Sequence, residues 1–154
     1  MKIFLKTEDE INLMRKANQL VGLTLAELGK HIKPGVTTLH LDRIAEEFIR
    51  DHGAIPTFKN FPNPYGESFP ASICTSINDV VVHGIPSDND VLDDGDIISI
   101  DCGTLLDGYN GDSCYTFAVG DISEQKRKLL EVTKKSLFLG IEQACLLYTS
   151  DAAD

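Results

Sequence analysis

The 154-residue sequence has no C-x-x-C pair, no apolar run of membrane-spanning length, no internal repeat and no low-complexity segment. Each absence removes a class of protein. Without zinc-ribbon spacing, Cys74, Cys102, Cys114 and Cys145 read as free, partly buried thiols in a reducing compartment. The N-terminal stretch MKIFLKTEDEINLMRK turns acidic after a few residues and so lacks the apolar core of a signal peptide. With no transmembrane candidate either, the expected location is the cytoplasm, away from membranes. Basic residues are outnumbered, 14 Lys and Arg against 24 Asp and Glu, for a net charge of −10. That balance argues against a nucleic-acid-binding surface and against attraction to anionic lipid.

What is present suits one domain with a real core: 42% hydrophobic and 25% charged residues over a single-domain length. Thr7 and Glu10 have capping-box spacing, with Glu8 and Asp9 suited to a first helical turn. Ile11, Met14, Val21, Leu25, Leu28 and Ile32 recur at helical spacing until Pro34-Gly35. Thr38, Leu41, Ile44, Ala45, Phe48 and Ile49 predict a second amphipathic helix, ended by Gly53. Residues 56–70 break the pattern, holding four of the six prolines and four of the eleven aromatic residues. Such a stiff loop is either plain surface packing or the wall of an apolar pocket. SICTSI and VVVHGIP predict two short strands, the second ending at His83. A third helix is predicted from about Ser123 to Ala144, with Leu129, Leu130, Val132, Leu137 and Ile141 apolar. Helices, then sheet, then helix predict an α+β arrangement.

The segment from Ile97 to Asp112 carries the chemistry. IISID is a β-branched run, Asp107-Gly108 is a strong turn signal, and SCYTFAV resumes a strand. A turn centred between Leu106 and Asp107 would set Asp101 directly opposite Asp112 in a β-hairpin. Like charges facing one another destabilise a sheet. A pair of divalent cations clamped between the carboxylates would offset the repulsion and create a hydrolytic site. The competing reading is two exposed turn aspartates, with a bulge shifting the register. Both readings remain open at this point.

CTSINDVVVHGIP, the segment DGDIISIDCGTLLDGYNGDSCYTFAVG and the helix after it resemble the bacterial type I methionine aminopeptidases, from near the N-terminus to about Ala144. The resemblance implies a pita-bread fold: two αβ halves related by pseudo-symmetry around a dinuclear metal site, here incomplete, an antiparallel sheet with helices packed on one side. It implies removal of the initiator methionine from nascent polypeptides, at the ribosome, by an enzyme that is monomeric when complete. Asp101 and Asp112 match two metal-binding carboxylates, and His83 matches a catalytic histidine that contacts substrate beside the scissile bond. Cys74, Phe69, Phe61 and Phe58 match positions lining the methionine pocket, where a thioether packs well against aromatic rings. Asn78 and Val80 match positions whose carbonyls hold a monovalent cation in some members. The implied cofactors are two divalent ions (manganese, iron, cobalt or zinc) that lower the pKa of a bridging water for attack on the peptide carbonyl.

The resemblance is incomplete. The family supplies one further histidine and two glutamates as ligands, yet no histidine follows His83. Glu124, Glu131 and Glu142 sit at surface-type spacing on the third helix. Residues 1–144 are therefore expected to be the N-terminal part of a catalytic domain, with 145–154 a non-native tail. A chain of this kind is expected to expose an apolar face, to be poorly soluble, and to be inactive by itself. Two other functions fit the same pattern: an X-Pro aminopeptidase or prolidase, and a non-catalytic pita-bread protein that binds peptides or partners.

Overall fold

The computed structural model describes residues 4–64 and 66–144, so the tail expected at 145–154 lies outside the described residues. The chain divides into two units, Met1–Asp121 and Ile122–Asp154. The first contains α1 (Glu8–Gly29), α2 (Thr38–Asp51) and strands β1 (Ile55–Pro56), β2 (Ile73–Ile77), β3 (Ile97–Leu106) and β4 (Tyr109–Ala118). The second contains α3 (Glu124–Gln143), none of whose residues is buried.

α1 begins where the capping box predicts. The Thr7 hydroxyl accepts from the Glu10 N–H, and the Glu10 carboxylate accepts from the Thr7 N–H at 2.7 Å. α2 is capped by Thr37, whose hydroxyl accepts from the His40 N–H, one residue before the Thr38 that opens the apolar pattern. All strand pairs are antiparallel. β4 runs the length of one edge of β3, while β1 and β2 lie end to end along the other.

Alternation along β3 separates two faces. Ile98, Ile100, Cys102 and Thr104 face the helices and are fully buried. Ile98, Ile100 and Cys102 pack with Ile73 of β2, with Leu20, Val21, Leu25 and Leu28 of α1, and with Leu41, Ala45 and Ile49 of α2. Approach is close enough that a Cβ on Gly111 would lie 2.5 Å from the Ala17 carbonyl oxygen, so only glycine fits beneath α1 there. The other face carries Ser99, Asp101 and Gly103 of β3, flanked in register by Cys74 and Ser76 of β2 and by Asp112, Cys114 and Thr116 of β4.

Two expectations are corrected. The hairpin turn is centred between Asp107 and Gly108, both at positive φ (51° and 81°), which is the two-residue type I′ geometry that matches strand twist. Asp101 therefore pairs with Cys114, and Asp112 with Gly103. The two aspartates share a face as diagonal neighbours rather than standing directly opposite. The run VVVHGIP is not a strand. Asn78 and His83 both take positive φ (50° and 60°), and the Thr75 N–H to Gly84 carbonyl bond (2.9 Å) ties the segment to β2. Val81 is left 84% exposed.

Candidate functional site

The face of the sheet away from α1 and α2 opens into a cleft of about 880 Å³, and seven of the nine site residues expected from sequence line it. Asp101 and Asp112 come from the hairpin, Cys74 from β2, His83 from the segment after β2, and Phe58, Phe61 and Phe69 from the aromatic loop. Asn78 and Val80 do not line it. Asn78 instead braces the start of β3. Its carboxamide oxygen accepts from the Ile97 N–H (3.2 Å) and its amide nitrogen donates to Asp96 (2.7 Å).

Local structure explains how each group arrives. The diagonal register places the Cβ atoms of Asp101 and Asp112 roughly 7 Å apart. The Asp112 N–H donates to the Asn18 side-chain oxygen of α1 at 3.4 Å, fixing that end of the pair. His83 reaches the cleft because Gly84 lies flat on β2. The Gly84 N–H donates to Ser76 Oγ (3.2 Å), and a Cβ on Gly84 would meet the Thr75 carbonyl oxygen at 2.0 Å. The aromatic loop folds back on itself. The Asn60 N–H donates to the Phe69 carbonyl (2.8 Å), and the Phe69 N–H to the Phe61 carbonyl (3.0 Å). Gly103 gives Thr57 and the Phe58 ring room, since a Cβ would lie 2.2 Å and 2.8 Å from them.

The electrostatics follow from this crowding. Burial, and next the charge of Asp112, push the Asp101 carboxyl above the usual carboxylate range, against a smaller opposing effect of His83. Burial and then the Asp101 charge push the Cys74 thiol up to about 12, and Cys102 is raised to about 12 for the same reasons. Burial likewise raises Cys114, although its residue surface is exposed. All three are free thiols in the protonated, unreactive form at neutral pH. Cys74 thus acts as a small apolar wall.

The donor set suits a divalent cation in kind, because paired carboxylate oxygens on an open face are hard, anionic ligands. It does not suit one in number. Among the described residues no group of three or more His, Cys, Asp or Glu side chains converges to hold a metal ion. No helix among them is long and apolar enough to cross a membrane.

Sequence reasoning missed Asn18 and Asp42. Each reads as an ordinary polar residue of a helix; Asn18 also donates to the Met14 carbonyl within α1 (2.9 Å), and the packing of helix on sheet brings the Asp112 N–H to Asn18 and the Ser72 N–H to Asp42.

The methionine aminopeptidase of Clostridium acetobutylicum is 56% identical over 144 residues, covering 94% of this chain and 56% of that protein. The crystal structure of methionine aminopeptidase from Rickettsia prowazekii matches with a TM-score of 0.82 and 42% identity, over 89% of this chain and 53% of that one. The prolidase of Pyrococcus horikoshii shares the fold (TM-score 0.76) at 22% identity, over 91% of this chain and 37% of that one. The fold is thus the pita-bread fold in part, and the chain spans about half the length of the relatives it matches. A family model described as metallopeptidase family M24 matches residues 12–146, and the chain belongs to that family.

Proposed function

We infer that this chain carries the methionine-recognising part of a methionine aminopeptidase, which removes the initiator methionine from nascent proteins. The observation that carries the reading is one cleft joining an aromatic wall, a protonated thiol, an imidazole and two carboxylates. Phe58, Phe61, Phe69 and Cys74 form an apolar surface suited to a thioether, which packs well against ring edges and sulfur. His83, exposed at the cleft, is placed to hydrogen-bond the substrate amide or the oxyanion that develops from it. Asp101 and Asp112 would hold the divalent ions, two in the reading favoured here. When bound, such ions supply Lewis-acid polarisation and a nucleophile available at neutral pH. The carboxylates themselves would orient the free α-amino end of the substrate towards the open face.

With two carboxylates as its share of the ligands, the isolated chain binds metal weakly and is inactive. Residues 1–144 are read as the native part of the catalytic domain and the site of action as the cytoplasm. The carbonyls of Asn78 and Val80 remain proposed monovalent-cation ligands outside the cleft.

The test is a titration of the 15N-labelled chain with methioninamide and, separately, prolinamide, followed by NMR, alongside an assay of methionine release from a Met-Ala-Ser peptide with millimolar manganese. The reading expects shifts confined to Phe58, Phe69, Cys74 and their neighbours with methioninamide, and no release of methionine. A preference for prolinamide would favour an X-Pro-directed enzyme. Absence of methioninamide shifts would overturn the pocket assignment, and methionine release would overturn the inactivity.

A further inference from the structure

The carboxylates of α2 lie outside the cleft, yet both ends of the aromatic loop are tied to them. At one end Lys59 Nζ donates to Glu46 Oε2 at 2.5 Å, while Arg50 Nε holds the other oxygen of Glu46 at 2.9 Å. At the other end the N–H groups of Ser72 and Ile73 both donate to Asp42 Oδ1, at 2.7 and 3.0 Å. Asp42 and Glu46 are one helical turn apart on the same face of α2. Asp42 is only 5% exposed, and burial holds its carboxyl above the usual range despite the two N–H donors. An ionisable side chain kept at that cost beside Leu41, Ala45 and Ile49 is spending stability on a specific geometry. Between the anchors, the loop's own bonds join Asn60 to Phe69 and Phe69 to Phe61. With the loop's own bonds intact, shifting the Phe69 segment as a unit strains the Lys59–Glu46 pair or the two N–H bonds to Asp42.

We propose that Asp42 and Glu46 are positioning residues for the apolar pocket: α2 grips the aromatic loop at both ends and so fixes the gap between Phe69 and the Cys74 floor. Its role in methionine selection rests on the function proposed above. The geometry makes a further demand. Both bonds at Asp42 use one oxygen, and a carboxamide oxygen also offers two lone pairs, so asparagine can substitute where alanine cannot. The acceptor is needed, and the charge is not.

The experiment is amide hydrogen exchange of the full chain by NMR, without ligand, for the wild type, Asp42→Ala, Asp42→Asn and Lys59→Met. Exchange at Asn60 and Phe69 is expected to accelerate at least about tenfold in Asp42→Ala and Lys59→Met, with Ile98 and Ile100 unchanged. Asp42→Asn is expected to restore wild-type exchange. Lys59→Met leaves Glu46 paired with Arg50, so it decides the matter if Asp42→Ala does not fold. Unaltered exchange at Asn60 and Phe69, loss spread equally through β3, or failure of Asp42→Asn to restore protection would each overturn the proposal. Because no ligand is present, a failed methioninamide titration would remove the methionine reading and leave this result standing by itself.

Discussion

Ile98, Ile100, Cys102 and Thr104 are fully buried beneath α1 and α2, whereas Ser99 and Asp101, one residue along in each case, stay partly exposed on the opposite face of the same strand. The covered face is chosen for volume: branched aliphatics, with glycine at 111 where α1 comes close. The open face is chosen for chemistry, with carboxylates at 101 and 112, a thiol at 74, and glycine at 103 where the aromatic loop crosses. One strand thus divides two tasks by its two-residue period. The open face carries the electrostatic cost, since Asp101 is both partly buried and beside a like charge. A divalent cation held between the two carboxylates, as proposed above, would offset that repulsion.

The largest expected effect is on the covered face. Ile100→Ala should lower stability by about 2–5 kcal/mol, the usual range for truncating a buried aliphatic in a packed core. Urea denaturation would show it as a fall in midpoint at unchanged slope. If Ile100→Ala cost no more than an exposed substitution, the division between the faces would be wrong.

The adjacent residue should behave in the opposite sense. The carboxyl of Asp101 is raised in the folded state, so its contribution to stability is full below the unfolded value of about 3.9 and is lost as pH rises through the folded value. Asp101→Asn removes the charge. It should therefore be slightly more stable than the wild type at pH 7, by under about 1 kcal/mol for a partly exposed pair, and show no advantage below about pH 4. Denaturation midpoints of the two proteins at pH 3.5 and pH 7 would reveal a constant difference if the charge were irrelevant.

Much of this was legible in the residues. Thr7 and Glu10 announced the start of α1 because a capping box is a local device, closed within four residues. Asp107-Gly108 announced the hairpin for the same reason. The turn signal leaves the centre free by one residue: a centre between Leu106 and Asp107 pairs Asp101 with Asp112, whereas the two-residue type I′ turn at Asp107-Gly108 pairs it with Cys114, and both keep the two aspartates on one face. The valines at 80–82 carried strand propensity that the left-handed residues at 78 and 83 overrode. α3 showed an apolar pattern, yet Leu129, Val132, Leu137 and Ile141 are all exposed, because periodicity says which face a helix would bury and not whether anything covers it. Asp42 and Asn18 were illegible for a different reason. Asp42 accepts from N–H groups 30 and 31 residues away and Asn18 from one 94 residues away, contacts that no local spacing encodes.

Whether the open face faces the metal can be read by adding substoichiometric manganese to the 15N-labelled chain and mapping paramagnetic broadening. The prediction is broadening centred on Asp101, Asp112 and His83, abolished in Asp101→Asn. Broadening centred on the acidic turn at Asp93, Asp94 and Asp96, or unchanged in Asp101→Asn, would contradict it.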